Sequence, residues 1–110
     1  MESIESLVAT MANTIRIPVT DISQMFTDAH YTLGDKLASN ALITCEAQDV
    51  RFTFGAAVPT QGVNGLGHIL YTRQSIKLQH ISQIRSFSFI NHTNGSDAII
   101  QVTFEFPIGG

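Results

Sequence analysis

The sequence contains no tryptophan and one cysteine, and charged residues make up 14% of it. A lone cysteine excludes an internal disulfide, and Cys45 lies in an apolar strand pattern, which predicts a small buried side chain. An average soluble domain has roughly 25% charged residues, so more of this surface is free for contact with other proteins. The six basic residues are scattered along the chain against nine acidic ones, which argues against nucleic acid as a partner.

Long apolar runs are also missing. No segment approaches the roughly 20 apolar residues that a membrane-spanning helix needs, so the sequence predicts no membrane partner. Glu2 and Glu5 stand where a secretion signal would carry positive charge, and we therefore expect synthesis and assembly in a cytoplasm. With 110 residues, the chain has the size of one domain around one core.

Apolar and polar residues alternate over much of the chain, which predicts half-buried β-strands. The pattern is clearest in the last strand, whose inward residues are Ile100, Val102, Phe104 and Phe106. The preceding run, residues 84–90, is joined to it by a loop that contains Asn94-Gly95. Both residues of that pair tolerate positive φ, so we expect a hairpin between these two strands.

Further alternating patterns lie at residues 15–17, 41–47, 50–54, 67–71 and 75–79. In the third of them we expect Val50, Phe52 and Phe54 to point inward and Arg51 and Thr53 to point outward. Pro18 places the first strand at a sheet edge or at its own end. Parallel sheets need helical crossovers, which this chain lacks, so the strands should be antiparallel. The sequence thus predicts an all-β fold, an antiparallel β-sandwich or a barrel of jelly-roll type.

The segments between these strands are harder to assign. Residues 22–26 suit one helical turn, residues 27–32 suit an extended segment, and Gly34-Asp35 suits a turn. Residues 81–83 are expected to form a short connection.

An N-terminal helix is predicted over residues 2–12. Its apolar side chains recur at helical spacing and are Ile4, Leu7, Val8 and Met11. A helix this short must dock on something, either its own sheet or a neighbouring subunit. We therefore divide the chain into an N-terminal arm, residues 1–13, and a single β-sandwich domain, residues 14–110. Met11 is an alternative start of translation.

Residues 55–67, which we call the glycine-rich loop, contain four glycines and a proline. This composition predicts a long exposed loop, and such loops commonly contact partners. The apolar residues expected to contact a partner there are Val58, Val63 and Leu66.

Residue types that carry chemistry are present but not grouped. His30, His68, His80 and His92 lack the short spacings of metal ligands, although His68 and His80 flank adjacent strand patterns. Cys45 beside Glu46 would have its thiolate disfavoured. We therefore predict no catalytic residue, no metal and no cofactor. Tyr31 and Tyr71 are the candidate ring platforms for a glycan.

Four short motifs in order resemble small β-rich virion proteins of tailed bacteriophages. They are Arg51-Phe52-Thr53-Phe54-Gly55, Pro59-Thr60, Gly67-His68-Ile69-Leu70 and residues 98–103, and the resemblance covers residues 40–105. Many such proteins are capsid decoration, or cement, proteins. The resemblance implies a β-rich subunit on the outer surface of a virion capsid, bound to the major capsid protein, without catalytic residues.

The sequence therefore leads to one main expectation and two alternatives. The main expectation is a decoration subunit, a dimer or trimer, that binds the capsid through the N-terminal helix and the glycine-rich loop. One alternative is a tail or neck component with the same fold. The other is a glycan-binding β-sandwich module.

Overall fold

The computed structural model describes residues 10–107. These residues form ten strands and two short helices. In chain order the elements are β1 (Thr10–Val19), β2 (Gln24–Met25), α1 (Asp28–Tyr31), β3 (Thr32–Leu33), β4 (Lys36–Leu37), β5 (Asn40–Glu46), β6 (Val50–Thr53), β7 (His68–Leu70), β8 (Ser75–Leu78), α2 (Ile81–Ser86), β9 (Ser88–Asn91) and β10 (Ala98–Pro107). The fold is mostly β, as predicted, and no helix in residues 10–107 is long and apolar enough to cross a membrane.

Eight of the strands form two four-stranded antiparallel sheets. Sheet A has the order β1-β10-β5-β8, and sheet B has the order β2-β9-β6-β7. Each sheet takes its strands alternately from the first and second halves of the chain, which is the connectivity of a jelly roll. The short strands β3 and β4 form a separate hairpin around Gly34-Asp35, so the predicted turn is confirmed.

One core lies between the two sheets. The inward side chains of β10, from Ile100 to Phe106, are at most 1% exposed, so the alternation of the last strand is confirmed. Every phenylalanine except Phe54 is buried, and so is Cys45. The ring of Phe26 lies 5.5 Å from that of Phe87 and 5.2 Å from that of Phe104. Since β10 belongs to sheet A, this aromatic cluster joins the two sheets.

The predicted hairpin between the last two strands is wrong. β9 pairs with β6 and β2 in sheet B, whereas β10 pairs with β1 and β5 in sheet A. The connection through Asn94-Gly95 therefore crosses from one sheet to the other. Gly95 has a φ of 81°, but Asn94 does not have a positive φ, because within residues 10–107 the positive-φ residues other than glycine are Ala47 and Arg73. The turn thus lacks the two positive φ angles of a type I′ hairpin.

Two segments predicted as extended or as connections are helical. Residues 28–31 form α1, where the His30 side chain accepts from the backbone N–H of Thr27 at 3.0 Å. Residues 81–86 form α2, where His80 Nδ1 accepts from the N–H of Ser82 at 3.1 Å. In both cases a histidine satisfies a backbone donor at the helix start, which strand alternation does not reveal.

The first strand is longer than predicted. Residues 10–12, expected to end the N-terminal helix, belong to β1, because their backbone pairs with residues 105–107 of β10. Ile4, Leu7 and Val8 lie outside the described residues. Pro18 lies in an edge strand, as predicted.

Candidate functional site

The glycine-rich loop folds back over the outer face of sheet B. Val50 and Phe52 of β6 belong to the core, and Arg51 and Thr53 alternate with them on the opposite face. Arg51 and Thr53 are nevertheless only 7% and 6% exposed. The prediction that these two side chains point away from the core is correct, but the loop covers them.

Arg51 holds this loop with its guanidinium group. Nη1 donates to the carbonyl oxygen of Gly67 at 2.6 Å, and Nη2 donates to that of Gly62 at 2.8 Å. Nε donates to Nδ1 of His92 at 3.3 Å. A buried charge must be compensated by hydrogen bonds, and here neutral acceptors of the loop provide that compensation. The loop therefore depends on a cation from the strand beneath it.

Hydrogen bonds within the loop complete its structure. The N–H of Thr60 donates to the carbonyl of Leu66 at 3.1 Å, and the N–H of Leu66 donates to the Thr60 hydroxyl at 2.7 Å. The Thr53 hydroxyl donates to the carbonyl of Ala57 at 2.6 Å. The loop is thus closed on itself and attached to β6 at its beginning.

Two glycines are required by the close approach of backbone to backbone. A Cβ at Gly65 would overlap the carbonyl oxygen of Thr60, and one at Gly67 would lie 2.7 Å from the carbonyl oxygen of Phe52. Gly67 also has a φ of 119°, which L-residues with side chains rarely adopt. The density of glycine, which predicted a loop, therefore serves tight packing against the sheet.

A polar network fixes the other side of the loop. One carboxylate oxygen of Asp21 accepts from Gln61 at 3.0 Å, from Asn91 at 2.9 Å and from the N–H of Gly95 at 2.8 Å. Gln61 also donates to the side-chain oxygen of Asn91, which is fully buried. The bond from Gly95, followed by those from Asn91 and Gln61, lowers the pKa of Asp21 below 3.8. The ionised carboxylate thereby ties the loop to the crossing between the sheets.

Three large apolar side chains are exposed on the outer surface of the loop. Val58 is 58% exposed, Val63 is 88% exposed and Leu66 is 53% exposed. These are the loop residues predicted to contact a partner. The structure places all three at the surface of a loop that is fixed by hydrogen bonds.

A pocket of about 430 Å³ lies beside this surface. It is lined by Thr53, Phe54, Leu66, Gly67 and His68. Phe54 was predicted to be inward but is 40% exposed, because β6 ends at Thr53 and the chain turns there. Its ring still packs on those of Phe52 and Phe87. The loop and this pocket together form what we call the loop surface: Phe54, Val58, Val63, Leu66 and His68.

Comparisons with known proteins do not place this chain in a family. No protein family model and no curated protein matches this chain. A solved structure described as "Crystal Structure of FeII HppE" is similar over 87% of this chain and 43% of that one, with 9% identity and a TM-score of 0.47. This chain thus spans less than half of that protein, and a likeness this weak carries no argument about function.

Met11, the fourth N-terminal residue predicted to contact a partner, is not part of the loop surface. It lies on β1 of sheet A and is 51% exposed, whereas the loop packs on sheet B. The helix over residues 2–12 was the reason for grouping Met11 with Ile4, Leu7 and Val8. Since Met11 is in a strand, that grouping is wrong for it.

Three of the four histidines make structural hydrogen bonds. His30 and His80 accept backbone hydrogen bonds at the two helix starts, and His92 accepts from Arg51. Within residues 10–107 no three His, Cys, Asp or Glu side chains are grouped to hold a metal ion. Burial, with the charges of Asp49 and Glu46, raises the pKa of the Cys45 thiol to about 12. A thiol with this pKa is a poor nucleophile at neutral pH.

A second, larger pocket lies beside α1. Its volume is about 650 Å³, and its lining includes Asp28, Ala29, Thr32 and Arg85. The Tyr31 hydroxyl donates to the Asp28 carboxylate, and the Arg85 guanidinium lies 5.6 Å from the centre of the Tyr31 ring. Sequence reasoning missed this pocket because it depends on α1, which was expected to be extended.

Proposed function

We propose that this protein is a virion structural protein of a tailed bacteriophage, a capsid decoration protein that binds the major capsid protein through the loop surface. The carrying observation is that Val58, Val63 and Leu66 are exposed on a loop held by buried Arg51. An isolated exposed valine is ordinary, but three apolar residues on a fixed loop form a surface that suits a protein partner.

The fixed geometry of the loop favours binding. A flexible loop loses conformational entropy when it is ordered against a partner, and a preorganised loop avoids most of that cost. The pocket beside Phe54 and Leu66 has room for an apolar side chain of the capsid protein. A contact made by one loop and one side-chain pocket would bind weakly alone, so the subunit would need to attach to the capsid at several points.

Repetition then provides the strength. A dimer or trimer that contacts neighbouring capsid subunits gains affinity from simultaneous attachment. Because it binds the assembled shell and not its separate parts, many copies shift the equilibrium toward the shell. The protein would be made in the host cytoplasm and would lie on the capsid surface. The predicted contribution of Ile4, Leu7 and Val8 stays a prediction.

The test is binding of purified protein to capsids that lack it. Val63→Asp and Leu66→Asp introduce a charge on the loop surface and should each reduce co-sedimentation with capsids at least about tenfold. Leu42→Asp is the matched control, because Leu42 is also exposed, at 45%, but lies on β5 of sheet A. Full binding by both loop variants, with wild-type thermal stability, would reject the loop surface as the contact.

Stoichiometry in purified particles separates a head protein from a tail or neck component. Hundreds of copies per particle would support decoration of the head, and a small set with the symmetry of the tail would contradict it. For the glycan alternative, one of the two candidate tyrosine rings is buried and cannot serve as a platform. Tyr31 is 7% exposed, which leaves Tyr71, at 53%, as the candidate platform.

A further inference from the structure

The outer edge of β1, a strand of 10 residues, has no neighbouring strand within residues 10–107. Within residues 10–107, β1 lies at the end of sheet A and pairs with β10 over its whole length, from Thr10 opposite Pro107 to Val19 opposite Ala98. The register has no bulge. Natural proteins shield such edges with charges, prolines, bulges or covering segments, because free N–H and C=O groups recruit another strand.

Pro18 reveals which backbone groups face this free edge. Proline has no N–H, so Pro18, opposite Ile99, must occupy a position that is not hydrogen-bonded to β10. Its carbonyl instead accepts from Gln24 Nε2 at 3.0 Å. Backbone groups alternate sides along a strand, so Ala12, Thr14 and Arg16 also direct their N–H and C=O groups toward the free edge.

The two ends of the edge therefore differ. Pro18 has no backbone N–H, and its carbonyl already accepts from Gln24, so an added strand would form no backbone hydrogen bond at this position. From Ala12 to Arg16 the backbone groups that face outward have no hydrogen-bond partner among residues 10–107. Ala12, Asn13, Thr14 and Arg16 are also exposed at their side chains. The segment available for pairing is thus five residues long and centred on Thr14.

We infer that two copies of this protein form a dimer by antiparallel pairing of their β1 strands, with the two Thr14 residues opposite each other at a two-fold axis. In this register Ala12 lies opposite Arg16 of the second copy, and all outward backbone groups of Ala12, Thr14 and Arg16 find partners. A two-fold axis makes one strand edge complementary to itself. The two A sheets become one continuous eight-stranded sheet.

Side chains favour the same register. Glu105 of β10 lies directly beside Ala12, and Arg16 of the second copy would lie on the other side of Ala12. Strands two spacings apart are about 10 Å distant, which extended Arg and Glu side chains bridge over the small Ala12. On the opposite face, half-exposed Met11 would lie opposite Ile17 of the second copy. Centring the pair on Arg16 instead would place two like charges together.

This dimer is independent of the proposed function, because the loop surface belongs to sheet B. If the proposed function is right as well, each dimer would carry two loop surfaces and could attach to the capsid at two points. A strand donated by a different protein is the competing occupant of the edge. In that case the purified chain would be monomeric.

The first test is the mass of the full chain in solution by analytical ultracentrifugation, over about 1–100 μM. Wild type should be dimeric at the upper concentrations. Thr14→Pro removes a donor that faces the free edge and leaves the ladder with β10 intact, so it should give a folded monomer. Thr14→Val is the control, since it also loses the Thr14 hydroxyl but keeps the N–H, and it should remain dimeric.

The second test does not rely on proline. Arg16→Glu should raise the dimer dissociation constant about tenfold or more, and the double change Arg16→Glu with Glu105→Arg should restore it. Under oxidation, Thr14→Cys should form a covalent dimer, because its Cα atoms would be about 5.5 Å apart. Arg16→Cys should not. A monomer at every concentration, a trimer, or equal cross-linking of both cysteine variants would overturn this register.

Discussion

Arg51 is the single residue on which the loop surface most depends. It lies in β6 and is almost fully buried, and its guanidinium donates to two loop carbonyls and to His92. Lysine would not substitute for it, because the planar guanidinium offers donors in several directions at once. The structure of the loop therefore depends on the buried guanidinium, and the buried guanidinium depends on the loop carbonyls that accept its hydrogen bonds.

Replacing Arg51 by methionine should therefore be costly. The carbonyls of Gly62 and Gly67 would lose a charged donor, and hydrogen bonds to charged groups contribute about 1.5–3 kcal/mol each. We expect Arg51→Met to lower the free energy of unfolding by about 2–4 kcal/mol and to speed amide exchange in residues 60–67. Lys77→Met, at an exposed position, should change stability by less than about 0.5 kcal/mol. Equal effects of the two changes would contradict the role of Arg51.

Asp21 makes stability depend on pH. Its pKa is lowered below 3.8 by the hydrogen bonds from Gly95, Asn91 and Gln61. A carboxyl with a lowered pKa stabilises the folded state above its unfolded pKa, and this contribution disappears as pH falls through the folded pKa. The stability advantage of wild type over Asp21→Asn should thus be constant near pH 6 and shrink as the pH falls below the ordinary carboxyl pKa of 3.8 and through the lower folded pKa. Urea titrations of both proteins would measure it, and an advantage independent of pH would contradict the assignment.

The glycine-rich loop is an element in its own right, although it contains no helix or strand. Thr60 and Leu66 pair with each other, Gly65 donates to Gly62, and Gly62 donates to the carbonyl of His92 at 2.9 Å. Compact loops of this kind hold their shape through internal contacts. At Gly65 and Gly67 the backbone approaches other backbone so closely that no side chain fits.

Gly65→Ala should distort and destabilise the glycine-rich loop. The added methyl group would overlap the carbonyl oxygen of Thr60, and overpacking typically costs about 1–3 kcal/mol. We expect a loss of that size in the free energy of unfolding, together with weaker capsid binding. Asn64→Ala, at the exposed neighbouring position, is the control and should leave stability within about 0.5 kcal/mol. Unchanged stability of Gly65→Ala would show that the loop adapts freely.

On the scale of the whole molecule, the two sheets share one core and should unfold together. Phe87, 1% exposed, contacts the rings of Phe26, Phe52, Phe54 and Phe89, and Phe26 reaches Phe104 of sheet A. Loss of a ring at this place leaves a cavity that affects both sheets. Cooperative unfolding is the norm for single domains of this size.

Phe87→Ala should accordingly lower the free energy of unfolding by about 3–5 kcal/mol and shift a single transition. Phe54→Ala, at a 40% exposed ring, should cost clearly less but weaken binding at the loop surface. Denaturation followed by circular dichroism and by amide exchange in each sheet would compare them. Separate melting of the two sheets would contradict a shared core.

Local patterns in the sequence were sufficient to predict several features of this fold. A period of two identifies a strand from neighbouring residues alone, so the inward face of β10, the edge position of Pro18 and the buried Cys45 were predictable. Glycine density likewise revealed the loop and its exposed residues Val58, Val63 and Leu66. The helices were missed because their starts depend on the side chains of His30 and His80, which satisfy backbone donors.

The sequence by itself determined most of the residues that face the core, although not Phe54, because alternation is a property of adjacent residues. Only the tertiary structure decided which sheet each strand joins, so β9 and β10 separate although the Asn94-Gly95 sequence between them is typical of a hairpin. It also decided that Arg51 is buried, since the loop carbonyls that it binds are 11 and 16 residues away along the chain. The reason is physical: strand pairing and loop packing are settled by contacts between distant segments, and no local pattern records which distant segment will be there.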